Sequence, residues 1–322
     1  RALVTGGAGY IGAHMAADLL CHGWDVAVVD DLSTGHRSAV PENAIFFQGS
    51  ITDAAFLARV FAAYRPEVVF HFAALAVVCD SFERPFAYWQ VNVEGTIKLL
   101  HAMDAHGVDT LVFSSSCAVY GHAEYVPIDE KHPTRPASPY GATKLAAEQC
   151  IQAACHQFGL RAVALRYFNV AGCCGDASRR ERHDPETHLF PNLLAAAEKK
   201  QPFILYGADH PTPDGTAIRD FVHVLDLVEA HRQTAIRLLQ EPSGFFEVFN
   251  LGSGKGTSVR EAITAVEHGT GTKIKVITHP RRRGDPPMLV ANSQKWQNWA
   301  QTFGFQRTIE DMVRSMWRAR RR

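Results

Sequence analysis

The sequence is short of several things at once. Its 322 residues carry no net charge at neutral pH, 33 lysines and arginines standing against 33 aspartates and glutamates. No broad electrostatic field therefore recruits a nucleic acid or an anionic membrane surface. The stretch Arg318-Ala-Arg-Arg-Arg322 is basic but reads as a solvated end. Cysteine is odd in number and scattered: seven residues with no paired C-x-x-C spacing fit reduced thiols in a cytoplasm better than a disulfide framework. Cys173-Cys174 with His183 and His188 invite a metal reading, yet adjacent cysteines are poorly placed to chelate together, and no metal is expected. No charged leader with an apolar core is expected at Arg1-Ala-Leu-Val, and the longest apolar run, around Val68 to Cys79, is broken by His71. Nothing is expected to cross a bilayer. There is no internal repeat and no low-complexity linker. What remains is 46% hydrophobic and suits one large or two moderate domains with a well-filled core.

The first fifty residues contain a complete βαβ unit. Ala2-Leu-Val-Thr is a short apolar strand, Gly6-Gly-Ala-Gly9-Tyr-Ile-Gly12 leads into an alanine- and leucine-rich helix ending near Gly23, and Asp25-Val-Ala-Val-Val-Asp30 is a second buried strand. The glycines let the backbone turn tightly and approach a pyrophosphate, whose charge a helix N-terminus stabilises through its free N–H groups. Asp30, about twenty residues on, is placed to accept hydrogen bonds from an adenosine ribose and would repel a 2′-phosphate, which favours NAD over NADP.

The alternation continues with a strand at Ile45-Phe-Phe-Gln, a helix from Asp53 to Tyr64, and a strand from Glu67 to Ala74 that ends in small residues. A helix from Val91 to His106 carries Asn92 near its start, and Thr110-Leu-Val-Phe-Ser114 is the next strand. The run Ser114-Ser-Ser116-Cys-Ala-Val-Tyr-Gly121 thus falls at a strand's carboxyl end, where ligands bind in open α/β sheets. Ser138-Pro-Tyr-Gly-Ala-Thr-Lys144 opens a further helix, with Ser138 as N-cap and proline in the first turn, so Tyr140 and Lys144 share one face. A tyrosine acting as a base near neutrality must be lowered by about three pKa units, roughly 4 kcal/mol, which a buried lysine and a cationic nicotinamide ring are able to supply. Arg161 to Tyr167 is another buried strand, closing on Phe168-Asn169. Beyond it the pattern predicts a loop from Cys173 to His188, helices over Leu189 to Lys199 and from about Asp226 to Gln240, and strands at Pro202 to Gly207 and Val248 to Gly252. A helix over Ser258 to His268 and a strand over Lys273 to Ile277 follow. The expected architecture is α/β: a Rossmann-type doubly wound parallel sheet over 1–170, and a smaller C-terminal α/β substrate domain over 171–322 with segments returning to the first. A cleft is expected between them.

Six motifs occur in order: Gly6-Gly-Ala-Gly-Tyr-Ile-Gly12, Ser114 to Gly121, Ser138 to Lys144, Leu165-Arg-Tyr-Phe-Asn169, Asp214-Gly-Thr-Ala-Ile-Arg-Asp220 and Arg281-Arg-Arg-Gly-Asp285. Together they resemble the signature of the extended short-chain dehydrogenase/reductases, and among these the NAD-dependent UDP-sugar 4-epimerases, over nearly the whole length. The resemblance implies Tyr140 as base, Lys144 as its partner on the nicotinamide ribose and Ser116 as the hydroxyl on the sugar's C4 oxygen. It implies a cofactor site of Gly6, Gly9, Tyr10, Ile11, Gly12, Asp30, Ser50, Ile51, Phe72, Ala73, Ala74, Asn92, Ser114, Tyr140, Lys144 and Tyr167. The implied substrate site comprises Ser116, Tyr140, Phe168, Asn169, His188, Leu189, Tyr206, Arg219, Arg282 and Asp285, the arginines suiting a diphosphate and Asp285 a uridine ribose. The implied reaction inverts C4 of UDP-glucose or UDP-galactose through a 4-keto sugar, with NAD retained, in a cytoplasmic homodimer.

Some positions depart from that pattern. Ala76 stands where a lysine often reaches the cofactor, and Ser50 where an aspartate flanks the adenine, so NAD is expected to exchange more readily than is usual. His188 replaces an asparagine, and Leu289 sits where side-chain size gates bulky C2 substituents. Related 4,6-dehydratases need an acidic pair, and decarboxylases a glutamate, just after the serine; Cys117 and Ala118 supply neither. UDP-xylose and UDP-arabinose remain alternative substrates, a nucleotide-sugar dehydratase or decarboxylase an alternative reaction, and an NAD-binding sensor or scaffold the non-enzymatic alternative.

Overall fold

A computed structural model of the chain describes residues 1–175, 177–182, 186–282, 286–302 and 304–321. The first half runs β1 (Ala2–Thr5), α1 (Tyr10–Cys21), β2 (Val26–Asp30), β3 (Ile45–Gln48), α2 (Ala54–Tyr64), β4 (Val68–His71), α3 (Val78–Glu83), α4 (Pro85–Tyr88), α5 (Gly95–Ala105), β5 (Thr110–Ser116), α6 (Pro139–Phe158) and β6 (Arg161–Tyr167). There follow β7 (Asn169–Ala171), α7 (Leu189–Lys199), β8 (Phe203–Tyr206), β9 (Ile218–His223), α8 (Val224–Leu238), β10 (Phe246–Leu251), β11 (Gly256–Ser258), α9 (Val259–Thr270), β12 (Val276–His279), β13 (Met288–Leu289), α10 (Gln294–Ala300) and α11 (Ile309–Arg320).

Ala2-Leu-Val and Val26-Ala-Val-Val are apolar without alternation because both faces of their strands are covered, as in parallel sheets crossed by helices. The main sheet has the order β10-β6-β5-β4-β1-β2-β3, with every pairing parallel. On one face Met15 and Leu19 of α1 and Leu227 of α8 pack against Val28, Phe70 and Val112. On the other, Phe61 of α2, Met103 of α5 and Ile151 of α6 pack against Val69 and Leu111. The strand order reverses between β1 and β4, which leaves a crevice beyond their carboxyl ends. Past β6 the chain leaves this sheet and returns to it: β10 pairs with β6 in the register Phe246↔Ala162. The remaining strands form small sheets in which β9 pairs with β7, β11 and β13, and β12 with β8. Phe190 and Leu193 of α7, Val266 of α9 and Val313 of α11 build the core beside them.

Two local differences from the sequence reading have physical causes. The helix expected from Val91 begins earlier, because Pro85 starts α4, whose run passes through a π-helical turn at Trp89–Glu94 into α5. Of the basic segment expected to be solvated, Arg318-Ala-Arg320 belongs to α11, which Thr308 and Asp311 open with a reciprocal capping box. There Arg320 pairs with Glu198 at 2.8 Å and donates to the Pro191 carbonyl at 3.0 Å. Among the described residues no helix is long and apolar enough to cross a membrane.

Candidate active site

Helix α6 is aimed by its own first turn. The Ser138 Oγ accepts the Gly141 N–H at 3.1 Å, and Pro139 occupies the position where a missing N–H costs nothing. This turn sits directly on the end of β5: a Cβ at Gly141 would lie 2.4 Å from the Ala118 carbonyl oxygen. The close approach places the Tyr140 phenol against the Ser116 hydroxyl, which also accepts the Ala118 N–H at 3.1 Å. One turn on, Lys144 is 3% exposed and its Nζ donates to the Ser114 carbonyl at 3.0 Å. That nitrogen lies 5.1 Å from the centre of the Phe113 ring and 5.9 Å from that of Tyr140.

Burial dominates the electrostatics of this pair. Burial pushes the Tyr140 phenol up to about 12, against a smaller downward pull from Ser116. Burial also draws Lys144 down to about 8, with the Glu148 carboxylate opposing. The phenol is thus held as a proton donor, and its use as a base requires a further cation beside it.

Behind this pair lies a network that the motif reading overlooked. Glu148 follows Lys144 by one more turn, accepts the Ser115 hydroxyl at 2.5 Å and pairs with Arg166 through two bonds of 2.9 and 2.5 Å. Arg166 in turn donates to the Tyr120 hydroxyl at 3.0 Å, which donates to Asn250 at 2.7 Å. The signal was available, since residues 140, 144 and 148 share a helix face. In β4, His71 is buried between the hydroxyls of Thr5 (2.7 Å) and Thr96 (3.0 Å), and burial, with Lys144 nearby, lowers it to about 3.

The dinucleotide crevice is lined by backbone. A Cβ at Gly12 would lie 2.2 Å from the Gly6 carbonyl oxygen, so only glycine lets α1 start this close to β1. No side chain caps α1 at Gly9, which leaves its first N–H groups for an anion. Asp30 accepts from Ala8 N (3.0 Å) and Leu32 N (2.8 Å) at the end of β2, and burial raises it above the usual carboxylate range despite those bonds. Tyr10 donates to the Gly172 carbonyl at 2.6 Å, which ties the glycine loop to the end of β7. Ile11 packs on the core formed by α1 and α8.

Other candidates are placed less directly. Asn92 is buried with its amide committed to Leu75 N (2.8 Å), Leu75 O (3.0 Å) and Thr143 Oγ1 (3.0 Å), so it fastens the loop after β4 to α6. Ile51 is a core side chain, and Ser50 bonds its own neighbour Thr52 at 2.9 Å. Phe72 stacks near His231 with ring centres 4.9 Å apart, and Ala73 and Ala74 are partly exposed beside it. The Ser114 hydroxyl bonds the Tyr167 hydroxyl.

A second neighbourhood opens between α7, β8 and β9. Asn169, His188, Leu189, Tyr206, Arg219 and Arg282 line one cavity of about 580 Å³. The Arg282 guanidinium sits 4.2 Å above the centre of the Tyr206 ring. At His188 burial opposes protonation, but Glu186 at 3.0 Å and Glu181 at 3.2 Å outweigh it and raise its pKa. Phe168 points instead into a core with Tyr120 and Ile128, on which Leu289 packs. Asp285 and His183 lie outside the described residues. Of the metal candidates, Cys173 and Cys174 stand near His14, whose Nδ1 faces the Tyr10 carbonyl (2.8 Å) while Nε2 accepts the Cys174 N–H (3.1 Å). Both ring nitrogens are thereby engaged by backbone.

A family model described as the NAD dependent epimerase/dehydratase family matches residues 2–252. The chain belongs to that family. It is 46% identical to the UDP-glucose 4-epimerase of Corynebacterium glutamicum over 92% of this chain and 88% of that one. Identity to the UDP-glucose 4-epimerase of Lacticaseibacillus casei is 43%, over 98% and 95% of the two chains. Among solved structures, UDP-glucose 4-epimerase from Brucella ovis in complex with NAD superimposes with a TM-score of 0.92 at 42% identity, covering 98% of this chain and 97% of that one. The enzyme from Bifidobacterium longum in complex with NAD+ and UDP gives 0.91 at 34% identity, over 99% and 98%. The doubly wound parallel sheet expected from the sequence is the fold that these family members share.

Proposed function

We propose that this chain is an enzyme that uses NAD to invert the C4 hydroxyl of a UDP-sugar, with UDP-glucose and UDP-galactose as the pair interconverted. The observation that carries this reading is the meeting of Tyr140, Ser116 and Lys144 at the carboxyl end of β5, beside a glycine-lined crevice and with no carboxylate at positions 117 and 118.

The residues present fit a dinucleotide. The uncapped first turn of α1 suits the pyrophosphate, Asp30 the adenosine ribose, and Lys144 the nicotinamide ribose. NAD bound there supplies the acceptor and donor of the hydrogen at C4. As the phenolate, Tyr140 would take the proton of the C4 hydroxyl and return it to the inverted oxygen, while Ser116 would hold that oxygen by a hydrogen bond. The Lys144 ammonium, 5.9 Å from the centre of the Tyr140 ring, and the positive nicotinamide ring are the charges that would favour the phenolate over the neutral phenol. Arg219 and Arg282 hold the diphosphate and Tyr206 borders the base, so the keto sugar is able to turn on its linkage and present its other face. Because Cys117 and Ala118 offer no second acid or base, elimination at C5 and C6 does not compete.

The test is to incubate the purified protein with UDP-galactose and look for UDP-glucose with no added reductant. Failure with every UDP-hexose and UDP-pentose, NAD included, overturns the reading. Self-association as a homodimer is part of the proposal. It is supported by the exposed Phe82, Phe86, Trp89 and Ile97 on the run from α3 to α5, and the mass in solution checks it. The seven free thiols support a cytoplasmic setting.

A further inference from the structure

The mechanism leaves one charged cluster unused, and it faces the glycine loop. Between β7 and α7, residues 177–182 lie against the glycine loop, with a turn of 3₁₀-helix at Ala177–Arg179. A small cavity of about 50 Å³ lies at the contact, with Gly9, Tyr10 and Thr34 on one side and Arg179, Arg180 and Arg182 on the other. Arg182 donates to the Ser178 carbonyl at 2.6 Å and reaches Ser38 Oγ at 3.5 Å, which braces the loop against the segment after β2. The Nε of Arg182 is buried with no hydrogen-bond partner, an unmet donor at the edge of this cavity. Arg180 is exposed. The acid within the cluster, Glu181, lies 3.2 Å from His188 and near enough to Tyr10 for its charge to add to the burial that raises that phenol's pKa, and Asp30 accepts the N–H groups of Ala8 and Leu32. Fixed N–H groups at the start of α1 and three guanidinium groups from the opposite side therefore converge on one small space, and they outnumber the nearby carboxylate of Glu181, which leaves a net environment for an anion.

We propose that Arg180 and Arg182 form a clasp over the dinucleotide crevice and bind the anionic phosphate linkage of NAD from the side opposite the glycine loop. The inference rests on the crevice being the NAD site and deepens that reading. It makes cofactor retention a joint property of both halves of the chain, and it acts against the readier exchange expected from Ala76 and Ser50.

The test is direct binding, measured by titration calorimetry on the whole protein freed of cofactor, with NAD, NADP and UDP as separate probes. Arg180→Ala and Arg182→Ala should each weaken NAD roughly tenfold, the value of one charge-assisted contact, and the double variant more, while UDP affinity stays unchanged. Trypsin cleavage after Arg180 and Arg182 in the wild type should slow when NAD is added. Unchanged NAD affinity in a double variant that still binds UDP overturns the clasp and leaves the NAD reading standing. A loss confined to NADP also overturns it, since the arginines would then serve a 2′-phosphate. Wild-type protein that binds UDP but no NAD overturns the underlying reading together with the clasp.

Discussion

Lys144→Met should make the protein more stable while abolishing its activity. Burial depresses the lysine from 10.5 to about 8 even with Glu148 nearby. At about 1.4 kcal/mol per tenfold change in proton affinity, the folded state holds the charged form ~3 kcal/mol less favourably than the unfolded chain does. Methionine keeps most of the volume and none of the charge, and it forfeits the hydrogen bond to the Ser114 carbonyl, worth about 1 kcal/mol net. The variant should therefore exceed the wild type by ~2 kcal/mol in urea unfolding at pH 7. The sign with pH follows from proton binding. Between about 8 and 10.5 the unfolded chain still holds a proton that the folded one has released, so the wild type gains stability as pH rises and the advantage of the variant disappears. Equal or lower stability of Lys144→Met at pH 7, or a difference that ignores pH, refutes the claim that a buried ammonium is kept here at the expense of the fold.

Tyr140→Phe should lower turnover by roughly 10³-fold without moving the unfolding midpoint by more than a few degrees, because it removes a proton carrier and no packing; circular dichroism and an epimerisation assay check both halves. Gly12→Ala should cost NAD at least roughly a hundredfold in affinity while leaving UDP binding intact. The new methyl would lie 2.2 Å from the Gly6 carbonyl oxygen and force the two ends of the glycine loop apart. Glu148→Gln should destabilise by about 3 to 5 kcal/mol through the buried, unpaired Arg166, and a double replacement of Glu148 and Arg166 by methionine should recover most of that loss in denaturant titrations.

Much of this was legible before any coordinates, for identifiable reasons. The βαβ opening, the Ser138 cap and the acid at Asp30 are local features whose geometry follows from a few neighbouring residues, and they stand where spacing puts them. Strands such as Val26–Asp30 and Arg161–Tyr167 are apolar runs between turn residues, and buried parallel strands leave that trace. What could not be read depends on contacts distant in sequence. The direction in which Tyr140 titrates is set by burial against residues from several elements. The pairing of Glu148 with Arg166 spans two elements, and the approach of Arg182 to Ser38 joins positions 144 residues apart. α11 was missed because its basic end resembled a tail, and the acid that anchors it, Glu198, lies on another helix. The resemblance places Asn92 at the cofactor; that its amide also holds the loop after β4 is a role that no spacing announces.

The most direct test follows a single hydrogen. UDP-galactose deuterated at C4, given to the purified protein in ordinary water without added reductant, should yield UDP-glucose that keeps the deuterium at C4, because the atom is lent to a bound nicotinamide and returned to the same carbon. UDP-glucose carrying a solvent proton at C4, or no UDP-glucose at all, would contradict it.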